Sequence, residues 1–137
     1  LRTTFKMALD QPHIDLRYLL ASLGYRCGLK GCERALGLDR GDLAAVDGYF
    51  AVLLWHDFRR HQNLEALETL LAYNIRDVVN LEPLLVKAYN LKAAQTPFGP
   101  GVCLSLPDPP PEPFRAHAPT VNRLLRQYFG PVSLSGG

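Results

Sequence analysis

The stretch AYNIRDVVNL, residues 72–81, places Tyr73 four positions before Asp77. Four residues advance an α-helix by about 400°, so the two side chains leave one face roughly 40° apart and one turn apart. A carboxylate in that position can hold a divalent cation, and a phenol one turn away can orient a water by hydrogen bonding. Metal-dependent phosphodiester hydrolysis uses this chemistry, with several carboxylates around ions about 4 Å apart. The same spacing also fits an ordinary aspartate ion-paired at a helix edge. With Leu67, Leu71, Val78, Leu81 and Leu85 at the centre of the apolar arc, Asp77 falls between Leu84 and Leu70, toward the arc's edge. An unpaired carboxylate there is costly, so Asp77 requires an arginine, backbone donors or a metal.

Three other groups of residues carry side chains that could do chemistry. His13 and Asp15 in HID could be site residues near a strand end, but Asp15 also reads as the cap of the helix that follows. Cys27 and Cys32 offer two thiolates, yet no second Cys/His pair follows at zinc-site spacing, and Cys32 reads as a small core residue. Arg115, His117, Arg123 and Arg126 could contact phosphates or form a solvated face. The chain contains no Walker loop, dinucleotide fingerprint or G-x-S-x-G elbow.

The elements that must position these residues are mostly helical. His13-Ile14 is expected to end a short strand, and Asp15 to cap a helix over 16–23 that stops at Gly24. In LKGCERALGLDR, the residues Leu29, Cys32, Ala35 and Leu36 share a face, and Gly37 ends the helix. Asp47 caps GYFAVLLWHDFRRH, which is apolar round much of its circumference and expected to be well buried, with Arg59, Arg60 and His61 suiting its C-terminal dipole. Asn63 caps a helix over about 64–90, kinked near Val79, whose carbonyl loses its partner to Pro83. PFGPGVCLSLPDPPPEPF should form neither helix nor central strand. Pro119 sits at N1 of a short helix ended by Gly130-Pro131, and the last residues should fray. The expected division is 1–92 as the body of the domain, 93–118 as a Pro-rich extended linker, and 119–137 as a short helix and tail.

A chain of 137 residues, 47% hydrophobic and 20% charged, can build one domain with a real core. Its net charge of +2 says little about a polyanionic partner. Its apolar runs are too short for a membrane span, and its first residues lack a signal peptide's apolar region. Three cysteines are too few for a disulfide framework and point to a reducing, cytoplasmic setting.

The succession HIDLRYLL, LKGCERALGLDR, DGYFAVLLWHDF and LLAYNIRDVVNLEPLLVKAYN, over residues 13–92, resembles the C-terminal half of ribonuclease H-like 3′–5′ exonucleases of the DnaQ-like group. The resemblance implies an α/β ribonuclease H-like fold in the complete domain, with this chain its helical part carrying one or two short strands. It implies a four-carboxylate, two-metal nuclease of the tyrosine type, acting on DNA or RNA. Asp77 would bind a magnesium or manganese ion and Tyr73 would position the attacking water; no catalytic role passes to Asp15. The family's first motif, Asp-x-Glu, occurs nowhere in the 137 residues. The fragment alone is therefore expected to be inactive, to hold no ion tightly, and to give Asp77 a substitute partner such as a basic side chain or solvent. Its uncovered faces should leave apolar surface exposed or drive homo-oligomerisation. The alternative is a non-catalytic interaction or nucleic-acid-binding module derived from the nuclease fold.

Overall fold

The computed structural model describes residues 10–38, 40–44 and 46–130. Among them the regular elements are α1 (Leu16–Ser22), α2 (Leu29–Ala35), a 3-10 turn (Gly41–Leu43), α3 (Gly48–His61), α4 (Leu64–Val79), α5 (Leu81–Ala93), α6 (Gly99–Val102) and α7 (Ala118–Phe129). No strand occurs among the described residues, and residues 12–15 are irregular, which corrects the strand expected at His13-Ile14. The expected fraying of the last residues, and the flank before Asp10, lie outside the described residues.

The helix starts follow from side-chain chemistry. Asp15 accepts from Arg17 N, Asp47 from Phe50 N at 2.7 Å, and Asn63 from both Glu65 N and Ala66 N. Each satisfies donors that the first helical turn leaves unpaired. Gln62 joins α3 to α4 in the left-handed conformation, φ 53°, so the two helices fold back on each other through a very short turn. Pro83 separates α4 from α5 instead of merely kinking one helix: the break falls at Asn80, whose carbonyl still accepts from Leu84 N at 3.1 Å.

Two hydrophobic clusters result. One joins α3, α4 and α7 through Phe50, Leu54, Ala66, Ala72, Val121 and Leu124. The other joins α1, α2 and α5 through Leu20, Cys32, Leu84 and Ala88. α3 is less buried than its composition suggests: Phe50, Leu53 and Leu54 face inward, while Tyr49, Val52 and Trp55 remain exposed. The apolar arc of α4 and α5 is also displaced from its expected centre, with Val78 67% and Leu81 40% exposed. The buried positions are Ala66, Thr69 and Ala72, and Thr69 is tolerated because its hydroxyl donates to Glu65 O and accepts from His117 N.

The Pro-rich stretch contains one helical turn after all. Pro100 lies in the first turn of α6, where no amide donor is needed. Gly99 is required there, because a Cβ would come 2.7 Å from Ala93 O. Beyond it the extended chain is held to the helices: Asn90 bonds both N and O of Leu104 at 2.8 Å, and Arg76 pairs with Glu112 at 2.6 Å. Phe114 and Ala116 pack on the first cluster and return α7 to it.

Asp57 locks that return. Its buried carboxylate pairs with Arg123 of α7 at 2.5 Å, accepts from Asn63 at 2.8 Å and contacts His61 at 3.0 Å. Burial alone would raise the Asp57 carboxyl, but Arg123, Asn63 and His61 outweigh it and hold it below the usual carboxylate range. A pKa lowered by folding stabilises the fold above the unfolded value of about 3.9, and that stabilisation disappears as pH falls through the folded value. Asp57→Asn is expected to cost about 1–3 kcal/mol at pH 7, the range for lost charged hydrogen bonds, and less at pH 3, below the unfolded carboxyl value. Urea unfolding of both chains at the two pH values measures the difference.

Candidate functional site

Tyr73 lies on the buried side of α4 beside Ala66 and Thr69, and Asp77, 28% exposed, lies at the edge of that side, as its spacing predicts. Eleven residues advance a helix by about 1,100°, so Asp77 returns to within roughly 20° of Ala66. The structure brings the two together in one pocket of about 410 Å³, walled by Lys30, Arg40, Gly48 and the Gly28–Gly31 segment. Tyr73 also packs against the first hydrophobic cluster.

Arg40 dominates the site. Its Nε donates to Glu33 Oε2 at 2.5 Å, and its Nη2 stands 2.6 Å from Asp77 Oδ1. The first contact is a directed hydrogen bond. The second is an ion pair only, since neither Nη2 nor Asp77 Oδ1 has a well-aligned hydrogen-bond partner. Glu33 is held on its other oxygen by Asn80 Nδ2 at 3.0 Å. Arg40 is 6% exposed and Glu33 1%, so the pair is buried, whereas Asp77 is 28% exposed and borders the pocket. Burial works against the Arg40 charge, but Glu33 and Asp77 overcome it and raise its pKa, so the guanidinium stays protonated.

The second cation is Lys30. Its ammonium donates to Val46 O, and burial, followed by repulsion from Arg40, lowers its pKa. The Lys30 Nζ and the Arg40 guanidinium each lie 5.8 Å from the Tyr73 ring centroid, within cation–π range. Burial, then the Asp77 carboxylate, pushes the Tyr73 phenol up. The phenol is therefore a neutral donor at neutral pH, able to hold a water or an oxygen ligand but not to act as a base.

Whether these residues fit a metal pair is decided by the donor set. Among the described residues no group of three or more His, Cys, Asp or Glu is arranged to hold a cation. The one carboxylate on the pocket already faces Arg40. The described residues do not fit the two-ion centre that the resemblance implies.

Residues 1–89 match a family model described as RNase H superfamily. That is 89 of the 137 residues. The chain belongs to the RNase H superfamily. No curated protein and no solved structure matches it. The superfamily match covers Tyr73, Asp77, Lys30, Glu33 and Arg40, and supports a nuclease-like domain whose substrates are, in general, nucleic acids. No described helix is long and apolar enough to cross a membrane.

The other sequence candidates lie elsewhere. Asp15 caps α1, and His13 lines a separate groove between α1, α2 and α5. Of the C-terminal basic set, Arg123 is paired with Asp57, and His117 caps α7 and sits 3.1 Å from Glu65, so these two serve the fold and are not a ready phosphate contact. Sequence reasoning missed Lys30, Glu33 and Arg40. The available signal was a glutamate beside the inward Cys32 and an arginine just past the Gly37 stop; neither names its partner.

Two outcomes test this geometry. Arg40→Met should destabilise the fold by about 3–5 kcal/mol, because Glu33 is left buried with its charge uncompensated, whereas Asp77→Asn should cost much less. In ultraviolet titration, the difference between wild type and Tyr73→Phe should show a phenol ionising above the usual value of about 10. In the Asp77→Asn background that phenol should move back toward it.

Proposed function

We propose that this chain is part of a metal-dependent nuclease that hydrolyses phosphodiester bonds of DNA or RNA, with the 3′–5′ exonuclease character of the DnaQ-like group. The observation that supports it is the shared pocket of Tyr73 and Asp77 inside the region matching the RNase H superfamily. In this reading Asp77 would be one of the residues holding magnesium or manganese, and the neutral Tyr73 phenol would position a water by hydrogen bonding. Further carboxylates must come from outside the described residues, and the 137 residues alone are inactive. The setting is cytoplasmic, in keeping with three free thiols. The exposed Tyr49, Val52 and Trp55 suit self-association or cover by another part of the protein.

A second reading has its own support. Arg40 already neutralises Asp77, as expected of a nuclease-derived module that binds partners or nucleic acid without cleaving it. Manganese-dependent degradation of end-labelled single-stranded DNA and RNA by the full natural gene product separates the two. The enzyme reading expects shortening from the 3′ end, abolished by Asp77→Ala and slowed about 100-fold by Tyr73→Phe, the scale of positioned proton and water chemistry. Equal activity of wild type and Asp77→Ala would remove Asp77 from any catalytic site. Absence of hydrolysis with retained nucleic-acid binding would establish the module.

A further inference from the structure

Cys27 and Cys32 lie with their sulfurs 3.2 Å apart, and neither is in a disulfide. Cys27 precedes α2 and is exposed; Cys32 lies within α2 and is 2% exposed. The contact is enforced by the backbone: a Cβ on Gly31 would lie 2.6 Å from Cys27 Cβ and 3.1 Å from its sulfur. Only glycine at that position lets the Cys27 side chain lie along the helix and reach Cys32. The Cys32 thiol also donates to Cys27 O at 3.1 Å, which holds it beside its neighbour.

We propose that Cys27 and Cys32 form a reversible dithiol–disulfide modification site, oxidised by small-molecule disulfides. The exposed Cys27 thiolate attacks one sulfur of the small disulfide. A Cys27–sulfur bond forms, the small disulfide's bond breaks, and one thiolate leaves and takes a proton from water. Cys32 then gives its proton to solvent and attacks Cys27 Sγ. The Cys27–Cys32 bond forms, the mixed disulfide breaks, and the second small thiol leaves. Two electrons and two protons pass from the protein to one small disulfide, which becomes two thiols. The division of labour follows from accessibility. Burial raises the Cys32 thiol, so it is the weaker first nucleophile but lies within reach of Cys27. The same segment, Gly28–Gly31 with Lys30, walls the Tyr73–Asp77 pocket, so the cross-link would tie that wall at both ends.

The test is incubation of the reduced native protein with oxidised glutathione, alkylation of free thiols, trypsin digestion and mass spectrometry. Trypsin cuts after Arg26, Lys30 and Arg34, so the disulfide joins peptide 27–30 to peptide 31–34. The expected product is that joined pair, lighter by two hydrogens and free of glutathione, with Cys103 alkylated. It should revert on adding reduced glutathione. Cys27→Ser, a change at an exposed position, should leave Cys32 alkylatable and without glutathione. Cys32→Ser should stop at the glutathione adduct of Cys27. A stable Cys27 adduct in the wild type, a cross-link involving Cys103 in place of Cys32, or no reaction at Cys27 would each overturn the proposal.

Discussion

A guanidinium taken out of water has to be paired, and the arrangement of this protein's helices around Arg40 follows from that constraint. Arg40 binds Glu33 of α2 and faces Asp77 of α4, and Glu33 in turn binds Asn80 at the break between α4 and α5. The two hydrophobic clusters are non-directional and could slide against each other. The polar network resists such sliding, because Arg40 Nε and Asn80 Nδ2 each hold one oxygen of Glu33 at a fixed distance and angle. Desolvation costs several kcal/mol per ion, and the attraction of a pair 4 Å apart is about 4 kcal/mol at an effective dielectric of 20. The two largely cancel. The network's contribution is therefore chiefly to register, setting α2 against α4, and only weakly to net stability.

The candidate site inherits its character from this arrangement. Two cations, Lys30 and Arg40, and two carboxylates, Asp77 and Asp47, act on one neutral phenol, while Glu33 acts on both cations. The pocket is lined by both cations and by one of these carboxylates, Asp77. Its chemistry depends on whether Asp77, the more exposed of the two carboxylates paired with Arg40, can exchange Arg40 for another partner. Glu33 cannot do so, being held on both oxygens and almost fully buried.

Outside the network, stability and exposure are unevenly shared. Asp57 fastens α7 to α3 from a site remote in sequence, whereas Tyr49, Val52 and Trp55 present the opposite side of α3 to solvent.

Sequence alone determined the local decisions. Asp15, Asp47 and Asn63 were legible as caps because a short acceptor side chain satisfies amides two or three residues ahead. The stops at Gly24 and Gly37 and the failure near Pro83 were legible because they depend on backbone dihedrals and a missing donor. The pairing of Tyr73 with Asp77 on one face was legible from helical geometry. Tertiary structure decided everything that turns on which surfaces meet. It rotated the buried side of α4 from Leu67 and Leu71 toward Ala66, Thr69 and Ala72, since small residues let α3 approach and Asn80 resets the phase for α5. It held the Pro-rich segment to the helices through Asn90 and Arg76, and fastened α7 through Asp57. It also chose Arg40 as the partner of Asp77, 37 residues away in the chain. A periodic pattern shows that a carboxylate needs a partner, but the partner's identity is a long-range fact that only the folded chain contains.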